Sequence, residues 1–310
     1  VGAVLIPEMK KKGYTAEFAA GITVASSTMG MINPPSVPMI IYALVSEESV
    51  GKLFLGSLIP GVMIGVLMLS ITIGVSYWKK YPREEVQLST QQKLERTRQS
   101  LLALIMPVFV VGAGVFGIAT ATESAGIGVL YAFIIGAFVI RDLKFKAIPP
   151  LMRDAIMTSA NVMIIIALSK LYIWILALER VPQAVALFIS GLDIPVVVIL
   201  FFINIIILAT GTFVDVSPAI LLLTPVFLPS MAALGVSRIQ FGVILISGLA
   251  VGLVTPPVGM CLNVASAISK LGIGTIFRAA LPFLLANIIT LLAITYLPQL
   301  SLWLPTLFFE

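Results

Sequence analysis

The sequence predicts an all-α polytopic membrane protein organised as an inverted repeat with re-entrant helical hairpins and broken helices. Three observations carry that prediction. Hydrophobic residues make up 59% of the 310 and charged residues 11%, with a mean hydropathy of +1.12, more apolar surface than a water-soluble core can bury. Several uncharged runs reach the roughly 20 residues that a helix needs to cross a bilayer core, and none shows the alternation of a half-buried strand. A stretch near the N-terminus recurs near the C-terminus with its glycines and prolines in register. The chain has no histidine and one cysteine, Cys261, which excludes disulfide frameworks, Cys/His zinc sites, histidine-ligated haem and Ser-His-Asp triads, so an enzyme is not expected.

Val1 to Pro7 is apolar, without the basic start of a signal peptide and without an initiator Met, and reads as the cut edge of a longer chain. Membrane segments are expected at 20–45, 54–78, 101–120, 124–140 and 155–178, followed by apolar arms at 195–210 and 218–234, then segments at 239–269 and 279–304. The polar stretch from Lys79 to Ser100 reads as a solvated loop or surface helix. Let Lys10, Lys11 and Lys12 lie in the cytoplasm, each segment cross once, and the two arms form a hairpin that enters and leaves on one side. Lys79, Lys80, Arg83, Lys93, Arg96, Arg98, Arg141, Lys144, Lys146, Arg153, Lys270 and Arg278 then fall inside with them. Only Lys52, Arg180 and Arg238 fall outside, and Lys170 lies within a segment. This is the positive-inside pattern, and it places the C-terminus in the periplasm. Trp78, Trp174 and Trp303 sit near segment ends, as interfacial anchors do.

At an offset of 222 residues, from Pro34 to Pro256, Val4 meets Val226, Pro7 meets Pro229 and Met9 meets Met231. Along the same register Gly13 meets Gly235, Gly30 meets Gly252, and Pro34 and Pro35 meet Pro256 and Pro257. Glycine and proline mark backbone breaks rather than bulk hydrophobicity, so their coincidence is informative. An odd number of crossings separates the copies, which would therefore lie inverted, the pattern of a secondary transporter with its site near the midplane. Each Pro-Pro pair removes two backbone donors and frees the carbonyls before it, so the helix is expected to unwind there. Freed carbonyls suit sodium, a hard cation, and helix N-termini suit an anion; a simple structural kink is the competing explanation. Between the two arms, Gly211-Thr212-Phe213-Val214-Asp215-Val216-Ser217-Pro218 is a polar break. It reads as the tip of a re-entrant hairpin whose arms are too short to cross independently and whose carboxylate, Asp215, is buried and needs a cation. By the repeat, a matching tip in the first copy would fall upstream of Val1.

The sequence resembles the large membrane subunit of a tripartite ATP-independent periplasmic (TRAP) transporter. The resemblance covers nearly the whole chain. It rests on Ile6-Pro7-Glu8-Met9-Lys10 through Gly13-Tyr14, Ala25-Ser26-Ser27-Thr28 through Pro34-Pro35-Ser36, and Ala119-Thr120-Ala121-Thr122-Glu123. It rests further on Gly211 to Pro229 and on Gly252-Leu253-Val254-Thr255-Pro256-Pro257-Val258-Gly259. It implies an elevator mechanism, in which a transport domain of two hairpins and two broken helices slides against a scaffold. It also implies sodium as the coupling ion with no ATP, a small DctQ-like membrane subunit, and a soluble DctP-like periplasmic protein that delivers the substrate. The implied substrates are small organic anions such as C4-dicarboxylates or sialic acid, and the implied location is the bacterial inner membrane, with lipid as a partner and no nucleic acid. Residues 1–52 would then hold the second arm of the first hairpin and the first broken helix. Residues 53–194 would be connecting and scaffold helices with a cytoplasmic loop at 79–100, 195–270 the second hairpin and second broken helix, and 271–310 a C-terminal membrane helix. The family subunit begins well upstream of Val1, so part of one ion site and of the substrate pocket is expected to lie outside this sequence. Met31 and Asn33 stand where family members often carry Pro and Ile, and Asn33 offers an added side-chain oxygen.

On this reading the second sodium site is formed by Gly211, Thr212, Asp215, Gly252, Thr255 and Val258, and the first by Thr28, Gly30, Asn33 and Ser36. Pro34, Pro35, Pro256 and Pro257 break the helices. Ser217 and Asn263 are candidates for the substrate carboxylate, Asn263 being equally an interhelical hydrogen bonder. Glu123 reads either as a helix cap or as a coupling carboxylate. Lys170 pairs with a carboxylate or a headgroup, or faces the small subunit. Two other functions compete: a stand-alone sodium- or proton-coupled anion carrier of related fold, and a membrane scaffold that moves no solute.

Overall fold

The computed structural model describes residues 2–81, 89–116, 118–140, 143–192 and 194–309, with the backbone alone at 90, 93–96, 98, 99, 103 and 121. Arg83 and Arg141, placed in the cytoplasm above, lie outside the described residues, as do the side chains of Lys93, Arg96 and Arg98. Among the described residues every regular element is helical. In chain order they are α1 (Gly2–Lys11), α2 (Ala16–Ser27), α3 (Met29–Ile32), α4 (Val37–Ser46), α5 (Val50–Trp78), α6 (Thr90–Val115), α7 (Ala121–Ile134) and α8 (Ile148–Leu178). There follow α9 (Val181–Ser190), α10 (Val196–Phe213), α11 (Val216–Ala233), α12 (Arg238–Leu253), α13 (Met260–Ser269), α14 (Ile273–Tyr296) and α15 (Gln299–Phe309). Among the described residues, seven helical stretches are long and apolar enough to cross a membrane: 16–46, 50–78, 122–139, 145–178, 196–213, 216–233 and 273–296.

The chain divides into two compact units, Val1–Arg83 with Ser169–Glu310, and Glu84–Leu168. In the smaller unit α6 packs on α7, with the Tyr131 hydroxyl donating to the Leu102 carbonyl at 2.8 Å. Helix α7 begins with a complete capping box: Thr120 Oγ1 accepts from the Glu123 amide, and the Glu123 carboxylate accepts from the Thr120 amide at 2.8 Å. Thr120 and Glu123 thus satisfy each other's backbone amides at the helix start, with Glu123 serving as a cap.

In the larger unit the two copies of the repeat adopt the same sequence of elements. Gly13 and Gly235 both take positive φ, at 85° and 77°, a conformation that costs other residues a clash with Cβ. Thr15 and Ser237 each cap the helix that follows, accepting backbone amides at its first turn. Those helices, α2 and α12, start 222 residues apart, and the bonds Pro34–Pro35 and Pro256–Pro257 are both cis. Beyond the prolines the spacing becomes 223: Val37 and Met260 open α4 and α13, Glu47 and Lys270 close them in the left-handed conformation, and Val50 and Ile273 open α5 and α14. The one-residue shift is why the sequence match at an offset of 222 lapses beyond the prolines while the structural equivalence runs on through α5 and α14.

Helix α12 is the centre of this unit, with every residue from Gln240 to Leu253 buried. Small residues let its neighbours approach closely, as helix contacts in lipid require where dispersion rather than water drives association. Gly242 fits against the Tyr42 ring, and a Cβ on Gly248 would lie 2.6 Å from Ile207. Helices α2 and α14 meet in the same way, where a Cβ on Gly21 would fall 2.7 Å from the Ala279 carbonyl carbon. Around them Ile6, Ala20, Val24, Val251, Leu262, Ile276 and Leu284 form one cluster of buried side chains. A second cluster joins Phe18, Ile32, Ile64, Met68 and Phe283. The two copies are also tied by polar contacts: the Tyr42 hydroxyl donates to the Arg238 carbonyl at 2.7 Å, and Arg238 Nη1 donates to the carbonyl of Ser46 at the end of α4.

Two expectations need correction. The arms at 195–210 and 218–234 are each 18-residue helices, about 27 Å long, and so long enough by length and composition to cross a membrane. They lengthen because the polar stretch between them does not break the backbone. Thr210 and Thr212 donate their hydroxyls back to the Ile206 and Ala209 carbonyls, and Pro218 sits in the first turn of α11, where no intrahelical donor is lost. The interruption shrinks to Val214 and Asp215. The segment expected at 279–304 is two helices, because α14 ends at Tyr296 ahead of Pro298 and α15 starts at Gln299. Lys170 falls within α8 and inside the 145–178 stretch, as expected, and is exposed there beside the buried Ser169.

Candidate functional site

The second copy builds its site where three backbone segments converge. Gly211, near the end of α10, and Gly252, near the end of α12, pack backbone against backbone: a Cβ on Gly252 would lie 2.5 Å from the Gly211 carbonyl carbon and 2.8 Å from the Leu208 carbonyl oxygen. A Cβ on Gly211 would lie 2.7 Å from the Leu249 carbonyl oxygen. Beyond α12 the chain turns through Val254, Thr255, Pro256, Pro257 and Val258 to Gly259, which takes φ 48° and caps α13. The Gly259 amide donates to the Thr212 carbonyl at 3.4 Å, joining the end of α10 to the broken turn. A Cβ on Gly259 would lie 3.0 Å from the Thr255 carbonyl oxygen.

Gly211, Thr212, Gly252 and Thr255 are thereby brought to one place, with Val258 beside them on the turn. The Thr212 hydroxyl donates to Ala209 at 2.7 Å and the Thr255 hydroxyl to Val251 at 2.8 Å. Each hydroxyl spends its proton on a carbonyl and keeps lone pairs for an acceptor role, as a ligand to a cation requires. Asp215 corrects an expectation: its carboxylate is exposed, at the N-cap of α11, with no side-chain capping bond. The extension of α10 through Phe213 carries Asp215 to the outer edge of the interhelix turn rather than into the packed interior. Ser217 is half-buried two residues further on, and Asn263 is exposed, donating Nδ2 to the Val258 carbonyl at 2.8 Å. Asn263 therefore braces the turn itself; among the described contacts it makes no interhelical bond.

In the first copy α2 ends at Thr28, a single turn (α3) follows, and the chain then passes through Asn33, Pro34 and Pro35 to α4. Thr28 is buried, and its Oγ1 lies 2.8 Å from the Ala25 carbonyl oxygen and 3.2 Å from Asn287 Oδ1. Ser36, also buried, caps α4: its hydroxyl accepts from the Met39 amide and donates to the Met31 carbonyl across the break. Gly30 faces open space, with no atom within 4 Å of an added Cβ. Asn33 turns its side chain to α5, where the missing side chain of Gly61 makes room for Oδ1. Thr28, Gly30 and Ser36 share the break, and the Asn33 oxygen lies on its α5 side.

Sequence reasoning passed over a set of buried polar residues on the helices behind the breaks. Asn204 of α10 donates Nδ2 to Thr295 Oγ1 of α14 at 2.9 Å. Gln240 of α12 donates Nε2 to the carbonyls of Ile294 and Thr295, both at 3.1 Å. Those carbonyls belong to the last turn of α14, where no intrahelical donor follows, so Gln240 caps a helix end in an apolar setting. Asn287 completes the set. The signal was present: Asn287, Thr290 and Thr295 interrupt the apolar run of α14, and polar residues inside a membrane segment usually face protein.

A family model described as "Tripartite ATP-independent periplasmic transporter, DctM component" matches residues 1–300. The C4-dicarboxylate TRAP transporter large permease protein DctM of Pseudomonas aeruginosa is 34% identical over 98% of this chain and 71% of its own length. The sialic acid TRAP transporter large permease protein SiaM of Vibrio cholerae is 33% identical over 99% of this chain and 72% of its own. The isethionate TRAP transporter permease protein DctMQ of Oleidesulfovibrio alaskensis is 33% identical over 98% of this chain and 48% of its own. These relatives are transport permeases rather than enzymes. The chain belongs to the DctM-component family of tripartite ATP-independent periplasmic transporters, as a helical membrane protein of that family.

Proposed function

We propose that this protein is the sodium-coupled permease through which a small organic anion, handed over by a periplasmic binding protein, enters the cell across the inner membrane. The observation that carries the reading is the convergence of Gly211, Thr212, Gly252 and Thr255 at a broken turn. Backbone carbonyls without intrahelical donors, with two hydroxyls that keep lone pairs, make an oxygen-rich setting for a hard monovalent cation. The first copy repeats the plan around Thr28, Gly30 and Ser36, with Asn33 nearby, so two sodium sites are proposed, one per break. Asp215 and Ser217 at the exposed tip, together with Asn263, lie where the substrate or its counter-ion would be met first. Asp215 supports this role by its exposure, since a carboxylate there is free to take part in ion entry.

Inverted repeats, re-entrant hairpins and elevator movement of a transport domain of 1–52 and 195–270 belong to the same proposal. The repeated order of α2 to α5 and α12 to α14 supports it, as does the two-residue turn between α10 and α11. The proposed partners are a small membrane subunit and a periplasmic binding protein, in keeping with the tripartite character of the family. The relatives named for C4-dicarboxylates, sialic acid and isethionate all carry an anion, which sets the substrate class proposed here.

The test is uptake of labelled C4-dicarboxylates, sialic acid and isethionate into proteoliposomes holding the full-length protein and both partners, with and without a sodium gradient. Uptake that needs sodium and the binding protein, and that falls at least tenfold in Thr255→Ala, is the expected result. Uptake driven equally by protons, or without the binding protein, would favour a stand-alone carrier instead.

A further inference from the structure

We infer that Asn287 of α14 is a positioning residue for the first ion site, holding Thr28 at the point where α2 stops and so setting how tightly that site takes sodium. The inference rests on the sodium reading of the first break given above. Its basis is a proton count. The Thr28 hydroxyl has one proton and two acceptors within reach, the Ala25 carbonyl at 2.8 Å and Asn287 Oδ1 at 3.2 Å. The shorter bond takes the proton. Asn287 Nδ2, meanwhile, is buried with no partner. Rotating the amide by half a turn resolves both problems: Nδ2 donates to Thr28 Oγ1, which donates to Ala25. Thr28 is then held from both sides, and α14 is bonded to the break.

The second copy acts as the comparison. At the residues equivalent to Thr28 and Asn287 it has Ala250 and Ile64, a pair without polar atoms, and its helix runs unbroken to Leu253. The first copy stops at Thr28, whose amide turns to Ala25 and Ser26, and restarts as the single turn α3. The extra interruption thus coincides with the polar pair. The same helices are in backbone contact about two turns earlier, at Gly21 and Ala279, so α14 is a rigid support from which a hydrogen bond can fix the break. Both residues are 1% exposed, and a hydrogen bond there is made without competition from water.

The experiment is the sodium dependence of uptake in the complete transporter, for wild type, Asn287→Leu, Asn287→Ser, Thr28→Val and the Asn287→Leu/Thr28→Val double variant. Leu removes the polar atoms at similar volume, and Ser is too short to reach Thr28 should Leu not fold. Either variant is expected to raise the half-saturating sodium concentration roughly three- to tenfold, the scale of one lost hydrogen bond, while the maximal rate at saturating sodium stays within about twofold. Because Asn287 acts through Thr28, the double variant is expected to be no worse than Thr28→Val alone. Half-saturating sodium unchanged in both Asn287 variants, or additive losses in the double variant, would overturn the inference while leaving sodium coupling in place. A wild type indifferent to sodium would defeat the sodium reading and this inference with it.

Discussion

Gly252 and Gly30 occupy equivalent places ahead of the two proline pairs, yet the structure gives them opposite demands. At Gly252 a methyl group meets the backbone of Gly211 and Leu208, atoms that cannot swing aside; at Gly30 it meets nothing. Gly252→Ala should therefore lower stability by about 1–3 kcal/mol, the usual cost of forcing atoms into a packed site, and should reduce transport as α10 is pushed from α12. Gly30→Ala should leave stability unchanged. Thermal unfolding in detergent, read beside uptake, checks both; equal losses in the two variants would contradict the close approach at Gly252. Glycine identity alone could not make this distinction, since the sequence match pairs the two residues as equals. Glu123 shows the converse. Its place three residues after Thr120 was legible as a cap, and both halves of the box are present. Glu123→Ala should lower thermal stability slightly, through the lost capping bond, and leave the sodium dependence of uptake as it was; a shifted sodium dependence would return Glu123 to a coupling role.

At the scale of elements, the breaks were legible because proline and glycine act on the backbone directly. The prolines of each pair and the glycines at 13 and 235 fall at turns in the structure as the offset match implied. Helix lengths were less legible, because threonine hydroxyls that bond back to carbonyls hide their polarity inside a helix, as Thr210 and Thr212 do in α10. For the same reason Asp215 was expected in the interior and stands at the surface. The polar ties behind the breaks depend on which residues face one another across elements distant in sequence, such as Asn204 with Thr295 and Gln240 with the end of α14. Gln240→Leu removes the donor for two buried carbonyls and should cost about 1–3 kcal/mol. Hydrogen exchange should then rise in the last turn of α14, from Ile294 to Tyr296, ahead of the rest of that helix; uniform exchange across α14 would show that Gln240 does not hold its end.

At the scale of the whole molecule, composition and charge settled the solvent, and the repeat pointed to the class of protein to which the family match assigns the chain. Two copies of one backbone plan, each interrupted beside a cis proline pair, offer paired oxygen-rich turns backed by buried polar ties. On the proposed function, transport is the work of those turns. Sodium is expected to bind them first and to shape the site that the anion then enters, so the anion should bind poorly without sodium.

The most direct measurement of that claim is uptake of the transported anion into proteoliposomes as the sodium gradient alone is reversed, with pH equal on both sides and the binding protein supplied outside. Accumulation under an inward gradient, none without a gradient, and loss of the sodium response in Thr255→Ala are the expected results. Accumulation that ignores the direction of the sodium gradient would contradict that claim.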